Sequence, residues 1–369
     1  MPRIVVIGAG VSGLTSALLL SENKNNAVTV VAKHMPGDYD IEYTSPWAGA
    51  NVLPMSQKSD SQWERRTWPV LRRLAAEVPE AGIHFQKTHI FQRPTTAGAD
   101  DEGGGLDPLF DKDPWYKELM PDFRPLAASE LRPGMASGNE FTSVCINTAL
   151  YLPWLVGQCR ARGVVFRRAV LAHVSEAASL AGGGGGSPAD LVVNATGVLA
   201  CRLGGVMDAK VCPARGQVVV VRNSLPVMIG VQCGRGPADR PDELIYSMER
   251  AAGGGTVLGG SYEKGNWDPN PDPNLALRIM TRVVELYPEI AGGKGVAGLD
   301  VIRHGVGLRP YREGGVRVET EVLDGMDCPV IHNYGHAGWG YQGSYGCAER
   351  VVELADEVFA RGAGLKAKL

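Results

Sequence analysis

The chain has 369 residues, 44% of them hydrophobic and 21% charged, enough for about two domains and too apolar for a disordered chain. Lys+Arg is 37 and Asp+Glu is 40, a net charge of −3, and no basic block or aromatic–basic stripe offers the phosphate-neutralising surface of a nucleic-acid binder. No stretch of ~18 uninterrupted apolar residues is present, which argues against a membrane-spanning helix. Glycine is the anomaly: 48 of 369 residues, about 13% against a usual ~7%, without the G-x-y period of collagen.

Residues 3–7 (RIVVI) read as a short buried strand, 8–13 as a turn and 11–22 as a helix. A second apolar strand follows at 27–32, completing the opening βαβ half of a doubly wound sheet. The same stretch superficially looks like a signal peptide, but three spaced glycines interrupt the apolar run and speak against secretion. Residues 60–78 read as a helix with Leu71, Leu74 and Val78 on its apolar face. The stretch 93–140 is rich in Pro, Gly and Asp and reads as loops with few regular elements. A helix over 147–162 contains Pro153, which begins or kinks it, and a strand at 164–168 follows.

The glycine run at 182–188 is an exposed connection, and 190–195 (DLVVNA) is a strand entering Thr196-Gly197. A strand at 217–221, a mobile loop at 235–241, and two strands within 244–262 joined through AAGGG come next. An amphipathic helix at 274–288, strands near 299–304, 316–322 and 329–333, and a helix at about 346–361 close the chain. Strand–helix alternation at both ends around strand-rich middle segments indicates an interleaved two-domain α/β protein.

Gly8, Gly10 and Gly13 stand directly after a strand and open a helix. The first allows a tight turn, the second lets a pyrophosphate approach the backbone, and the third lets helix and strand pack closely. The helix N-terminus then offers its N–H groups to phosphates. The bland alternative is a glycine-rich turn without a ligand. The acid usually found at the end of the second strand is missing. Ala32-Lys33-His34 stands there instead, and a cation suits a 2′-phosphate, which leaves an NADP-dependent dehydrogenase open as a rival, with a non-enzymatic nucleotide-binding protein as a third reading. Lys33 equally fits a solvated surface charge.

Seven cysteines form no CxxC pair and read as buried reduced thiols rather than a disulfide framework. Seven histidines give no HExxH; His332 and His336 are four apart but flank a glycine-rich turn, so no metal site is expected. Asn194-Ala195-Thr196 is an N-x-T sequence on an expected buried strand and reads as structural.

Further motifs run in consistent order: TSPWAGAN at 44–51, DLVVNATGV at 190–198, PARGQ at 213–217, LGGSYEKGNW at 258–267, RHGVGLRP at 303–310 and IHNYGHAGWGYQGSYG at 331–346. With GAGVSGL at the N-terminus, they resemble the D-amino-acid oxidase family of FAD enzymes from residue 3 to about 360. The resemblance implies an α/β fold in which a Rossmann-like FAD-binding domain (1–50, 140–205 and 295–361) is interleaved with a β-rich, α+β substrate domain (51–139 and 206–294), leaving a tail at 362–369. It implies oxidation of D-amino acids to imines, which hydrolyse to 2-oxo acids and ammonia. Hydride passes from Cα to flavin N5, O2 becomes H2O2, and no acid or base residue is required.

The resemblance also assigns roles. Arg309, in GLRP, pairs with the substrate carboxylate, for which a guanidinium fork is well matched. Tyr246 hydrogen-bonds the same carboxylate, Tyr262 lines the pocket, and the Gly338 carbonyl receives the substrate amine. D-aspartate oxidases look similar but carry an arginine at the Tyr262 position, so tyrosine favours neutral D-amino acids. Arg235 in the adjoining loop, taken as a lid, keeps a D-aspartate oxidase open, and a glycine or sarcosine type of oxidase is a further relative. FAD contacts are implied for Gly8, Ala9, Gly10, Val11, Ser12, Gly13, Thr44, Ser45, Ala48, Gly49, Ala50 and Asn51. They extend to Val164, Thr196, Gly197, Gly338, Gly340, Tyr341 and Gln342, with Lys33 near the adenosine ribose, which the family holds partly through backbone. The last helix would aim its N-terminus at the flavin and favour the anionic reduced form. Homodimers are common in the family. The closing Ala367-Lys368-Leu369 is a conservative variant of the S-K-L address read by the peroxisomal import receptor, and a peroxide-making enzyme suits the peroxisome matrix.

Overall fold

The structure is a computed structural model and describes residues 1–94, 107–111, 113–181, 188–232, 240 and 242–366. The connection at 182–188 and the loop at 235–241, with Arg235, lie largely outside the described residues, and the tail Ala367-Lys368-Leu369 lies wholly outside them. In chain order the strands are β1 (Arg3–Ile7), β2 (Ala27–Ala32), β3 (Ala50–Asn51), β4 (Ile83–Gln92), β5 (Arg124–Pro125), β6 (Ser137–Ile146), β7 (Val165–Arg168) and β8 (Leu191–Asn194). They continue as β9 (Val211–Val221), β10 (Val227–Val231), β11 (Glu243–Glu249), β12 (Thr256–Ser261), β13 (Glu263–Lys264), β14 (Val301–Arg312), β15 (Arg317–Glu321) and β16 (Val330–Tyr334). The α-helices are α1 (Val11–Leu20), α2 (Gln62–Glu77), α3 (Thr148–Ala161), α4 (Pro273–Leu286) and α5 (Ser344–Lys366).

The chain forms two compact units: Met1–Pro46, Leu152–Ala214 and Leu308–Leu369 make the first, Trp47–Tyr151 and Arg215–Gly307 the second. The sequence places these divisions at 50/51, 139/140, 205/206 and 294/295; in the structure they fall at 46/47, 151/152, 214/215 and 307/308. Two of the crossings occur inside the long strands β9 and β14, which is why no change in composition marks them.

The first unit is built on one sheet in the order β15-β16-β8-β1-β2-β7. All neighbours are parallel except β15, which pairs antiparallel with β16 at the edge. A parallel sheet is covered on both faces, so its strands are apolar throughout: Ile4, Val5 and Val6 are completely buried, as are Val192 and Val193. Ile7 is in register with Val31 on one side and Asn194 on the other, so three strands end together beside the glycine turn. Asn194 is fully buried and its Oδ1 accepts from Thr196 N (3.2 Å) and Thr196 Oγ1 (2.7 Å), which bears out its structural reading. Helices α1 and α5 pack on each other.

The second unit is a mostly antiparallel sheet in the order β13-β9-β12-β11-β10-β4-β6-β3, with β14 beside β9 and β5 beside β6. Its one described parallel pair is β10 with β4. Helix α4 packs on β11 and β12, burying Leu275, Ile279, Val283 and Leu286, the i, i+4, i+8 face of an amphipathic helix. Asp272 caps it by accepting from Asn274 N at 2.8 Å, with Pro273 opening the first turn.

Several strands correct the sequence reading. β4 and β10 were not foreseen, and β6 begins at Ser137, inside the stretch expected to be loops. β14 is twelve residues long rather than six, so GLRP lies within a strand. Among the described residues Cys145, Cys159, Cys201, Cys212, Cys328 and Cys347 are free thiols, four of them buried and Cys201 and Cys212 half-buried rather than buried; Cys233 lies outside the described residues. Among the described residues, no helix is long and apolar enough to cross a membrane.

Candidate active site

In the first unit the glycine turn leaves no room for side chains at its two ends. Gly8 has φ +109°, and a Cβ on it would lie 2.4 Å from the Ala195 carbonyl oxygen. A Cβ on Gly13 would lie 2.0 Å from the Gly8 carbonyl oxygen. Gly8 thus presses the turn against the end of β8, and Gly13 presses α1 against the turn. Gly10 caps α1 with no side-chain hydrogen bond, and no acidic residue stands in the first turn. Beyond its first N–H, that of Val11, the positive end of the helix is therefore left for an external anion.

Other predicted residues gather around this turn. Val11 N donates to Ser45 Oγ (3.0 Å), and Tyr341 Oη donates to the Ser45 carbonyl (2.8 Å). Thr44 Oγ1 donates to the Leu308 carbonyl, one residue before Arg309. Ala337 N donates to the Pro310 carbonyl (2.9 Å), so the segment after β16 runs beside β14. A Cβ on Gly338 would sit 3.8 Å from Arg309 Cδ, which makes the guanidinium stem and the Gly338 backbone immediate neighbours. A Cβ on Gly340 would meet His336 Cβ at 3.5 Å and Val11 Cγ1 at 3.9 Å. Gln342 is buried, and Gly197 takes φ +60° directly after the Asn194–Thr196 bond.

Two residues that the sequence reading did not select support the turn. Tyr43 Oη donates to the Ala9 carbonyl (2.7 Å), and burial holds its hydroxyl protonated far above the ordinary tyrosine range. His336 is buried, with Nδ1 3.4 Å from Ser12 Oγ and its ring edge-on to Trp339. Burial pushes this imidazole down to about 4, so it stands neutral beneath the turn.

Val164 is not part of this group. It precedes β7, whose Val165 pairs with Thr29 and whose Arg168 pairs with Ala32, so it stands at the opposite end of the strand from the crevice at the carboxyl ends. The cradle end of β7 leads instead to Ala169, whose N–H donates to the Ala32 carbonyl (3.1 Å), and to the exposed Val170. Lys33 is exposed and pairs with Glu42 at 2.8 Å, and Arg202 reaches the same carboxylate at 3.2 Å. Its charge is thus already matched, against the 2′-phosphate role. His34, Asp40 and Glu42 place donor atoms within 4.8 Å of one another, but the two cations already occupy Glu42.

In the second unit Ala48 and Gly49 lie against β11 and β12, and Ala50 and Asn51 against β6 and β10. Arg250, buried at the end of β11, donates through Nη2 to the Ala48 carbonyl (2.8 Å). A Cβ on Gly49 would be 3.3 Å from both Met248 and Val257, Ala50 and Asn51 pair with Ile146 and Cys145, and Asn51 Nδ2 is 3.0 Å from Met228 Sδ. Trp47 lies on the glycines of RHGVGLRP: a Cβ on Gly307 would be 2.7 Å from Trp47 Cβ, and one on Gly305 would be 3.4 Å from its ring.

Tyr246 and Tyr262, both half-buried, belong to this unit too. The Tyr246 ring lies flat against the Gly259-Gly260 pair, since a Cβ on Gly259 would be 2.0 Å from Tyr246 Cζ and one on Gly260 would be 3.0 Å from its hydroxyl. Tyr262 follows two residues later, its N–H donating to the Asp242 carbonyl (2.7 Å). The glycine pair was visible within LGGSYEKGNW; its purpose, a floor for a tyrosine on the neighbouring strand, was not.

A parallel sheet ending in an uncapped glycine turn, beside an arginine and a glycine-rich segment, defines a dinucleotide-binding α/β protein. The matches with known proteins take this further. The model of the FAD dependent oxidoreductase family matches residues 3–354. A D-amino-acid oxidase of Fusarium vanettenii is 58% identical over 99% of this chain and 99% of its own, and one of Schizosaccharomyces pombe is 36% identical over 96% of each. A glycine oxidase structure from Bacillus cereus shares the fold, with a TM-score of 0.71 over 97% of this chain and 95% of its own, at 17% identity. The chain belongs to the D-amino-acid oxidase family of FAD dependent oxidoreductases. The N-terminus of α1, with no side-chain cap from Gly10 and no acid in its first turn, and the glycine turn before it fit the pyrophosphate of FAD.

Proposed function

We propose that this chain oxidises neutral D-amino acids to imines, with FAD as the bound acceptor and O2 as the final one, releasing hydrogen peroxide. The observation that carries the reading is the end-to-end likeness to a D-amino-acid oxidase. Bound FAD supplies a two-electron acceptor for the Cα–H bond and a route for those electrons to oxygen. The residues of the Gly8–Gly13 turn, with Ser45, Thr196, Gly197, Gly340 and Tyr341, hold it.

The chain's own work is binding and orientation. Arg309 takes the α-carboxylate as a bidentate, permanently charged partner. The Gly338 carbonyl accepts from the substrate nitrogen. The Arg309 stem passes 3.8 Å from the place of a Gly338 Cβ, which supports the two groups sharing one ligand. Tyr246 donates its hydroxyl to a carboxylate oxygen. Tyr262 presents a ring and a hydroxyl where a second carboxylate would need a cation, which favours neutral side chains. No acid or base of the chain is assigned to the Cα–H bond.

The test is the absorbance spectrum of the purified, FAD-loaded protein under anaerobic conditions, with D-alanine, L-alanine and D-aspartate added in turn. Bleaching by D-alanine alone, and peroxide formation once air is admitted, are expected. Bleaching by D-aspartate alone would overturn the neutral-substrate reading. Ala367-Lys368-Leu369 would carry the protein to the peroxisome matrix through the import receptor; removing these three residues should leave activity intact and the protein cytosolic, and continued import refutes the address.

A further inference from the structure

PARGQ, at 213–217, carries two buried polar side chains that the proposed reaction does not use. The Arg215 side chain is 3% exposed, and Gln217 is completely buried. Burying a guanidinium and an amide is costly unless each group finds partners, so what they hold is informative. Both turn to one irregular stretch, the residues on either side of Tyr262 and onward to α4.

Arg215 Nε donates to the Asp268 carbonyl (2.8 Å), Nη1 to Glu263 Oε1 (2.8 Å), and Nη2 to the Asn270 carbonyl (2.5 Å) and Gln217 Oε1 (3.1 Å). Gln217 Nε2 donates to the Asp272 carbonyl (2.7 Å), and its Oε1 accepts from Asp272 N (2.8 Å). Its backbone N–H donates to Ser261 Oγ (3.1 Å). Tyr262 thus has both chain neighbours, Ser261 and Glu263, tied to this pair. The far end of the stretch is tied at Asp272, the cap of α4. The Gln217 carbonyl also borders the Tyr246 floor: a Cβ on Gly260 would lie 2.7 Å from it and 3.0 Å from the Tyr246 hydroxyl.

We propose that Arg215 and Gln217 are positioning residues for substrate binding, a clamp that fixes the backbone on both sides of Tyr262 and supports the floor under Tyr246. The proposal rests on the reading of those tyrosines as substrate ligands. Arg215 is not itself a substrate ligand. Four of its N–H···O contacts are committed within the fold, and its charge is matched by Glu263, so it offers no second cation to an acidic side chain. A guanidinium is needed because the acceptors are spread around one planar fork; an ammonium reaches fewer of them.

The experiment compares FAD-loaded wild type, Arg215→Met, Arg215→Lys and Gln217→Glu. It reads kcat and KM for D-alanine, FAD per chain, and the Kd for propionate, the alanine skeleton without the amine, from its perturbation of the flavin spectrum. Turnover of D-alanine by wild type establishes the underlying reading; its absence defeats that reading before any variant is compared. Given turnover, Arg215→Met should raise KM and the propionate Kd together by about tenfold or more, the loss from a displaced hydrogen bond to a charged group. FAD content and spectrum should stay at wild-type values, and kcat should change by less than KM. Arg215→Lys should recover part of the loss. Gln217→Glu keeps the contact with Arg215 but sets a carboxylate against the Asp272 carbonyl, and should raise KM several-fold; it decides the matter if Arg215→Met does not fold. Wild-type KM and propionate Kd in the folded variants, whatever their thermal midpoint, overturn the proposal.

Discussion

Gly259→Ala isolates the role of Tyr246 without touching its hydroxyl. The added methyl would lie 2.0, 2.3 and 2.5 Å from Tyr246 Cζ, Cε2 and Cε1, whereas non-bonded carbons settle at about 3.5–4.0 Å. The ring must therefore retreat by roughly 1.5 Å or more, and the hydroxyl moves with the rigid ring. A hydrogen bond to a charged carboxylate contributes about 1.5–3 kcal/mol, so its loss is worth roughly 10- to 150-fold. The substrate carboxylate carries the same charge before and during reaction, so the loss should fall mainly on KM. Steady-state kinetics with D-alanine, run beside Tyr246→Phe, supply the assay. Both variants should raise KM by similar factors, and the double variant should be no worse than either, because the two changes delete one interaction. FAD content should be unchanged, since the glycine turn lies in the other unit. Wild-type KM in Gly259→Ala, or additive losses in the double variant, would refute the reasoning.

Arg309→Leu should raise the KM for D-alanine by about two orders of magnitude or more, with normal FAD content, as expected when one partner of a charged hydrogen-bonded pair is removed; unaltered D-alanine binding would remove Arg309 from the carboxylate. Gly13→Ala sets a Cβ 2.0 Å from a backbone oxygen that has nowhere to move, and should purify without yellow colour, its FAD Kd by flavin fluorescence raised by an order of magnitude or more; a normally loaded yellow protein would contradict the cradle. The His336 imidazole, pushed down by burial to about 4, titrates near 6.5 in the unfolded chain, so the unfolded state binds the extra proton between these values. Stability should therefore fall as pH drops from about 6.5 to about 4, by up to ~3 kcal/mol, and be free of this group above about pH 7. Urea unfolding across that range should show the slope in wild type and less of it in His336→Phe; identical slopes would show that His336 titrates normally.

The opening βαβ half was legible because its signals are local: an apolar run, a spaced glycine turn and a second apolar run, all within the first 32 residues. β4 was not, because its inward face is polar. Gln86 and Thr88 are buried, and Gln86 Nε2 is satisfied by the Leu225 carbonyl (3.0 Å) far along the chain. That hides the period-2 alternation that marks a half-buried strand. β6 was hidden for a related reason: its partner in register is β4, so neither strand could be inferred without the other. Val164 was misplaced because a four-residue strand has two ends and only the carboxyl end faces the crevice; sequence spacing did not show which end a valine occupied. Lys33 read as a free cation because its partner, Glu42, stands nine residues on, in a loop without periodicity.

The legible motifs prove to be halves of contacts. Trp47 of TSPWAGAN lies on Gly305 and Gly307 of RHGVGLRP, while Thr44 of the first motif holds Leu308 of the second. Ser12 and Val11 of GAGVSGL meet His336 and Gly340 of the HNYGHAGWG segment. Arg215 and Gln217 of PARGQ hold LGGSYEKGNW and the residues after it, 44 to 55 positions away. Several of these contacts set a side chain against backbone, often a glycine with no room for a Cβ, while Ser12–His336 and Arg215–Glu263 join two side chains. This sorts the glycine excess. Gly8, Gly13, Gly259 and Gly307 are places where other atoms already occupy the Cβ position, whereas Gly253, Gly292 and Gly293 have open space around them and positive φ. Alanine at Gly8 or Gly13 should therefore damage FAD binding, and at Gly259 substrate binding, through a clash. At Gly253, Gly292 or Gly293 it should cost only the local strain of a left-handed backbone, about 1–2 kcal/mol, and leave KM unchanged.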